Sequence, residues 1–78
     1  MKIKLGAAPN ADFTGDKRTV KPHFVEVWDI TSAKKRMEEF IDDNDLGSGN
    51  LSADCGNVYS DAGDLIAKIS YNLRVVMQ

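Results

Sequence analysis

One cysteine and one histidine, Cys55 and His23, are all the cross-linking chemistry that this 78-residue chain contains. A lone thiol has no internal disulfide partner, and one thiolate with one imidazole cannot close a tetrahedral zinc site. Chains this short bury only about 60–65% of the surface their unfolded form exposes. The fold must therefore rest on a compact apolar core, or on self-association as a homodimer, rather than on staples. Composition permits a core. With 42% hydrophobic residues, 28% charged and two prolines, the chain lies outside the range of intrinsic disorder. A single domain over residues 1–78 is expected, with no cofactor.

The unpaired thiol fits a reducing compartment. The opening Met1-Lys2-Ile3-Lys4-Leu5 soon reaches Pro9, Asn10 and Asp12, so there is no apolar signal core, and no apolar run approaches the length of a span. A cytoplasmic location without membrane contact is the expectation. Charge is unevenly distributed along the sequence. Residues 1–40 carry eight basic and six acidic side chains, whereas residues 41–78 carry two basic and six acidic.

Hydrophobic periodicity suggests a β-β-α-β-β order. Ile3 and Leu5 alternate with Lys2 and Lys4, the pattern of a strand with one buried face. Residues 9–22 hold two prolines, Gly15 and a Lys17-Arg18 pair, and read as a long, turn-rich loop or a loose hairpin connection. His23 to Ile30 reads as a strand with apolar side chains on both faces, suited to a central position or to a partner. Thr31 or Ser32 can cap a helix over about 32–46, with Ala33, Met37, Phe40 and Ile41 as its apolar stripe and Gly47 as its terminator.

The last third reads as a meander. Asn57-Val58-Tyr59 leads into an Asp61-Ala62-Gly63-Asp64 turn, and Leu65 to Tyr71 returns. Arg74 to Met77 is either a fifth strand or the end of the fourth, because Leu73 is a poor turn residue. The expected fold is α+β, a small antiparallel sheet with one helix across one face. The other face is left open, with Trp28 or Tyr71 as candidates to lie on it.

Motifs for catalysis or metal binding are weak. Asp42-Asp43-Asn44-Asp45-Leu46-Gly47 begins like a calcium loop, but Leu46 occupies a ligand position and Ala53 stands where the bidentate glutamate belongs. Cys55 lacks an identifiable base, since nothing joins it to His23 in sequence. The paired carboxylates Glu38-Glu39, Asp42-Asp43 and Asp61 with Asp64 sit in polar surroundings, where no pKa would be raised. Gly47-Ser48-Gly49 lacks the spacing and lysine of a phosphate loop. The expectation is a protein without catalytic machinery.

Charge order along the helix is the least ordinary feature. Lys34, Lys35 and Arg36 occupy its first turns and Asp42, Asp43 and Asp45 its last, against the helix dipole at about 0.3–1 kcal/mol per charge. Pairs Lys34–Glu38 and Lys35–Glu39 would recover a little of this. The leading expectation is therefore a small binding module whose acidic helix face, Glu38, Glu39, Asp42, Asp43 and Asp45, contacts a larger and basic protein such as one built to hold nucleic acid. Phage and mobile-element proteins, including inhibitors of host defence of the anti-CRISPR kind, are often short chains of this type. The alternative is a nucleic-acid module using Lys17, Arg18, Lys21, Lys34, Lys35 and Arg36 as a basic edge.

Overall fold

The computed structural model describes every residue from Met1 to Gln78. Strands β1 (Lys2–Ala7), β2 (Val20–Glu26), β3 (Asn57–Tyr59), β4 (Leu65–Ile69) and β5 (Val75–Met77) form one antiparallel sheet in the order β2-β1-β3-β4-β5. Helix α1 (Ile30–Asp43) packs on one face, against β1 and β4. This is the expected α+β arrangement, and the undecided fifth strand is present.

Strand β1 is an internal strand, paired with β2 on one side and β3 on the other, and its alternation is the cleanest in the sheet. Ile3, Leu5 and Ala7 are buried toward the helix, while Lys2 and Lys4 stay half-exposed on the opposite face. Val58, Ala67 and Ile69 extend the buried face across β3 and β4, and Ala33, Met37, Phe40 and Ile41 of α1 close over it. The helical stripe read from the sequence is thus the stripe that is buried.

The strand expected over residues 23–30 is displaced. It runs from Val20 to Glu26 at the edge of the sheet, not at its centre. Pro22 lies inside it, which an edge strand tolerates, and at an irregularity in its pairing with β1. Val27 ends the extended segment, and Asp29 caps the helix in place of Thr31 or Ser32. The Asp29 carboxylate accepts the Ser32 N–H (2.8 Å), and Ser32 Oγ accepts the N–H groups of Asp29 (3.0 Å) and Trp28 (2.9 Å). That reciprocal pair is a capping box, and it satisfies orphan donors of the first turn.

The helix also ends earlier than expected, and not at Gly47. Asn44 is the C-cap, and Asp45 adopts φ 51° in the left-handed region. Leu46 N–H donates to Ile41 O (3.0 Å) and Asp45 N–H to Asp42 O (3.3 Å), the Schellman pattern, with Leu46 buried beneath. Aspartate tolerates this conformation better than most residues, which is why the terminator is two positions early.

The two C-terminal hairpins share one turn. Ser60 N–H donates to Asp64 O and Gly63 N–H to Ser60 O; Ser70 N–H donates to Arg74 O and Leu73 N–H to Ser70 O. Gly63 (φ 91°) and Leu73 (φ 66°) hold the equivalent left-handed position. Leu73 tolerates it while its side chain packs against the core. The sequence rule against leucine here is overruled by tertiary contact.

Residues between β1 and β2 are held by a carboxylate. Asp16, with a side chain only 4% exposed, accepts from the N–H groups of Asn10 (2.7 Å) and Arg18 (3.0 Å), from Arg18 Nε (2.9 Å) and from Asn50 Nδ2 (2.8 Å). Asn50, wholly buried, also donates to Ala8 O and accepts the Gly47 N–H. Those bonds, the Arg18 guanidinium first among them, hold the Asp16 carboxyl well below the usual carboxylate range.

Candidate functional site

Helix α1 divides its acidic residues between two flanks. Glu38 and Asp42 border a shallow cleft with Ile41, Tyr71 and Leu73, facing the β4–β5 hairpin. Glu39 and Asp43 border another with Arg36, His23 and Phe40, facing β2. All four carboxylates are exposed, and none forms an ion pair. Asp45 stands apart from them in the left-handed turn, its carbonyl accepting from Arg18 Nη1.

The expected Lys34–Glu38 and Lys35–Glu39 pairs do not form. Compensation for the helix dipole comes from outside the charged runs. The Asp29 carboxylate sits at the N-terminus and the Arg18 guanidinium at the C-terminus, each with the sign that the dipole favours. Neither contribution is visible in the helix sequence alone.

Among the residues of the expected basic edge, Arg18 alone has a carboxylate partner. Arg18 is committed to Asp16 and to the Asp45 carbonyl. Lys17 and Lys21 are exposed on the loop and at the start of β2, and Lys34, Lys35 and Arg36 on α1.

Cys55 is half-buried, and burial pushes its thiol up. His23 places its ring edge-on to Phe40 at 6.2 Å, with Nδ1 2.9 Å from the Lys21 carbonyl oxygen. No contact brings the two together. No cluster of three or more His, Cys, Asp or Glu residues stands ready for a metal, and no helix is long and apolar enough to cross a membrane.

Aromatic placement is what the sequence missed. Trp28 is not on the sheet; it projects from the β2–α1 junction, 93% exposed. Its backbone is fixed on both sides, by its own N–H to Ser32 Oγ and by Val27 N–H to Met1 O (3.0 Å). Lys35, Arg36 and Glu39 border the same cleft as Trp28, so the indole adjoins the charged face of α1. Tyr71 also lies off the open sheet face, its hydroxyl donating to Leu46 O at 3.0 Å near the helix exit. Recognising Asp29-x-x-Ser32 as a capping box would have shortened the strand and freed Trp28 from it.

The open face carries Phe24 and Tyr59 instead. Phe24, 54% exposed, pairs in register with Lys4, and Tyr59 with Lys2, so all four share the face opposite the helix. The chain was compared with protein-family models, curated proteins and solved structures, and none of them matches it.

Proposed function

We infer that the chain is a small, non-catalytic protein-binding module that docks on a larger, basic partner through the outer face of α1, with Trp28 as apolar anchor. The observation that carries this reading is Trp28 itself. A side chain of this size, 93% exposed on a backbone locked by the capping box, gains nothing from the fold that displays it. Tryptophan is enriched among the hot spots of protein interfaces, residues that cost about 2 kcal/mol or more when truncated there. The backbone that carries this anchor is already ordered by the cap and adds no ordering cost on binding.

Glu38, Glu39, Asp42 and Asp43 supply the rim. Unpaired and exposed, they steer a basic surface toward the helix and contribute more to on-rate and register than to affinity. A partner built to hold nucleic acid has the complementary charge. Blocking such a groove requires no catalysis, a chemistry that suits an inhibitor of a host system carried by a phage or mobile element. The basic-edge alternative is less supported, because Arg18 is already committed.

A photocross-linking amino acid in place of Trp28 tests the reading in cells. One discrete protein adduct is expected from position 28 and none from Val76, which is 50% exposed at the far side of the sheet. Adducts from Val76 but not from position 28 would refute it.

A further inference from the structure

We propose that the open face of the sheet is a second binding surface, a stacking platform for single-stranded nucleic acid centred on Phe24 and Tyr59. The two rings meet across β1 at 5.9 Å with an interplanar angle of 75°, and Lys2 Nζ lies 5.1 Å from the Phe24 centroid. Phe24 sits on edge strand β2, so its ring is open to a ligand, and 54% of the residue is exposed. Base–aromatic stacking needs such a ring, and every base has a face to offer it.

Charge on this face is opposite in sign to that of the α1 carboxylates. Lys2, Lys4 and Lys68 lie on it by strand alternation, Lys68 opposite Asn57 in the register and Lys2 opposite Tyr59. The nearby acids face cations of their own: Glu26, opposite Lys2 in the register, lies 3.9 Å from the N-terminal ammonium, Asp61 pairs with the same ammonium, and Asp54 lies 4.0 Å from Lys4. Lys68 forms no ion pair, and Lys2, opposite Glu26 in the register and with its Nζ over the Phe24 ring, forms none within 4.0 Å, so both ammonium groups can reach a phosphate beside the rings. Asn57, only 8% exposed, donates its Nδ2 hydrogen to the Tyr59 hydroxyl (3.2 Å). The platform therefore stacks bases and neutralises phosphates, and reads neither sequence nor sugar.

The test is fluorescence anisotropy with labelled oligo-dT and oligo-U of about 12 nucleotides, at low and rising salt. Expected is binding of both within a few-fold, with a log–log salt slope between about −1.4 and −2 for two to three phosphate contacts. Phe24→Leu keeps apolar bulk but removes the ring, and is expected to weaken binding about tenfold. Lys2→Gln with Lys68→Gln is expected to flatten the salt slope, while Lys34→Gln, Lys35→Gln and Arg36→Gln together leave binding unchanged. Absence of binding by the folded wild type at low salt overturns the proposal. So does binding that ignores the sheet variants but falls with the helix ones. So, too, does loss of a nuclease-resistant protein partner on Phe24→Leu, which makes this face a protein contact instead.

Discussion

Replacing Gly56 by alanine separates two costs that are usually confounded. Gly56 has φ +94°, and a Cβ there would lie 2.0 Å from the Ile69 carbonyl oxygen and 3.2 Å from Met37 Cε. Its N–H donates to Lys4 O (2.8 Å) and its carbonyl accepts the Ile69 N–H (2.9 Å), so it ties β1 to β4 where β3 begins. A left-handed alanine costs about 1–2 kcal/mol. Displacing the Ile69 carbonyl loosens the two hydrogen bonds, worth about 0.5–1.5 kcal/mol each. The sum is about 2–5 kcal/mol, against a total stability of roughly 4–12 kcal/mol for a chain of this length. Gly63 is the control: φ is +91°, but nothing lies within 4 Å of its virtual Cβ, so Gly63→Ala carries only the conformational part. Urea unfolding of both variants with equal m-values gives the difference, expected at about 1–3 kcal/mol. Destabilisation of the two within about 0.5 kcal/mol of each other would refute the close-approach reasoning.

Other outcomes follow from the same contacts. The Asp16 carboxyl is held below its unfolded value of about 3.9, so the folded state binds fewer protons there; its contribution is present above about pH 4 and is lost as pH falls below it. Asp61, lowered by the N-terminal ammonium, acts in the same direction. Thermal midpoints between pH 7 and acid should fall less steeply in Asp16→Asn than in the wild type; equal slopes would contradict the network. Cys55, half-buried with its thiol pushed up, should react slowly with a thiol reagent until urea is added, and rapid native labelling would oppose this. Trp28→Ala should leave the unfolding free energy in urea within about 0.5 kcal/mol of wild type, and Trp28 emission should hardly shift on unfolding. A blue-shifted native spectrum would place the indole inside.

What was legible in the sequence was the periodic part. Ile3 and Leu5 marked a one-faced strand, and Ala33, Met37, Phe40 and Ile41 marked the buried side of the helix, because burial imposes those spacings directly. Element ends were harder, since they are set by caps. Asp29 and Ser32 end the extended segment sooner than its apolar run suggests, and Asp45 ends the helix before Gly47. Leu73 breaks a local turn rule that tertiary packing overrides. The acidic residues of α1 were legible as exposed, but their division into two flanks and the isolation of Asp45 were not. Trp28 was hidden in a hydrophobic run, and only the cap separates it from the strand. Phe24 and Tyr59 lie 35 positions apart, and their meeting depends on β2 and β3 flanking β1 on opposite sides.

Nuclease-treated affinity capture from the native host bears most directly on the protein-binding role of α1. Wild type would be compared with Trp28→Ala and with a variant carrying Glu38→Gln, Glu39→Gln, Asp42→Asn and Asp43→Asn, all at exposed positions that leave the core intact. A stoichiometric protein that survives nuclease, is retained by wild type and is lost from both variants is the expected result. The same protein retained equally by all three, or no protein surviving nuclease, would contradict an interface on the outer face of the helix.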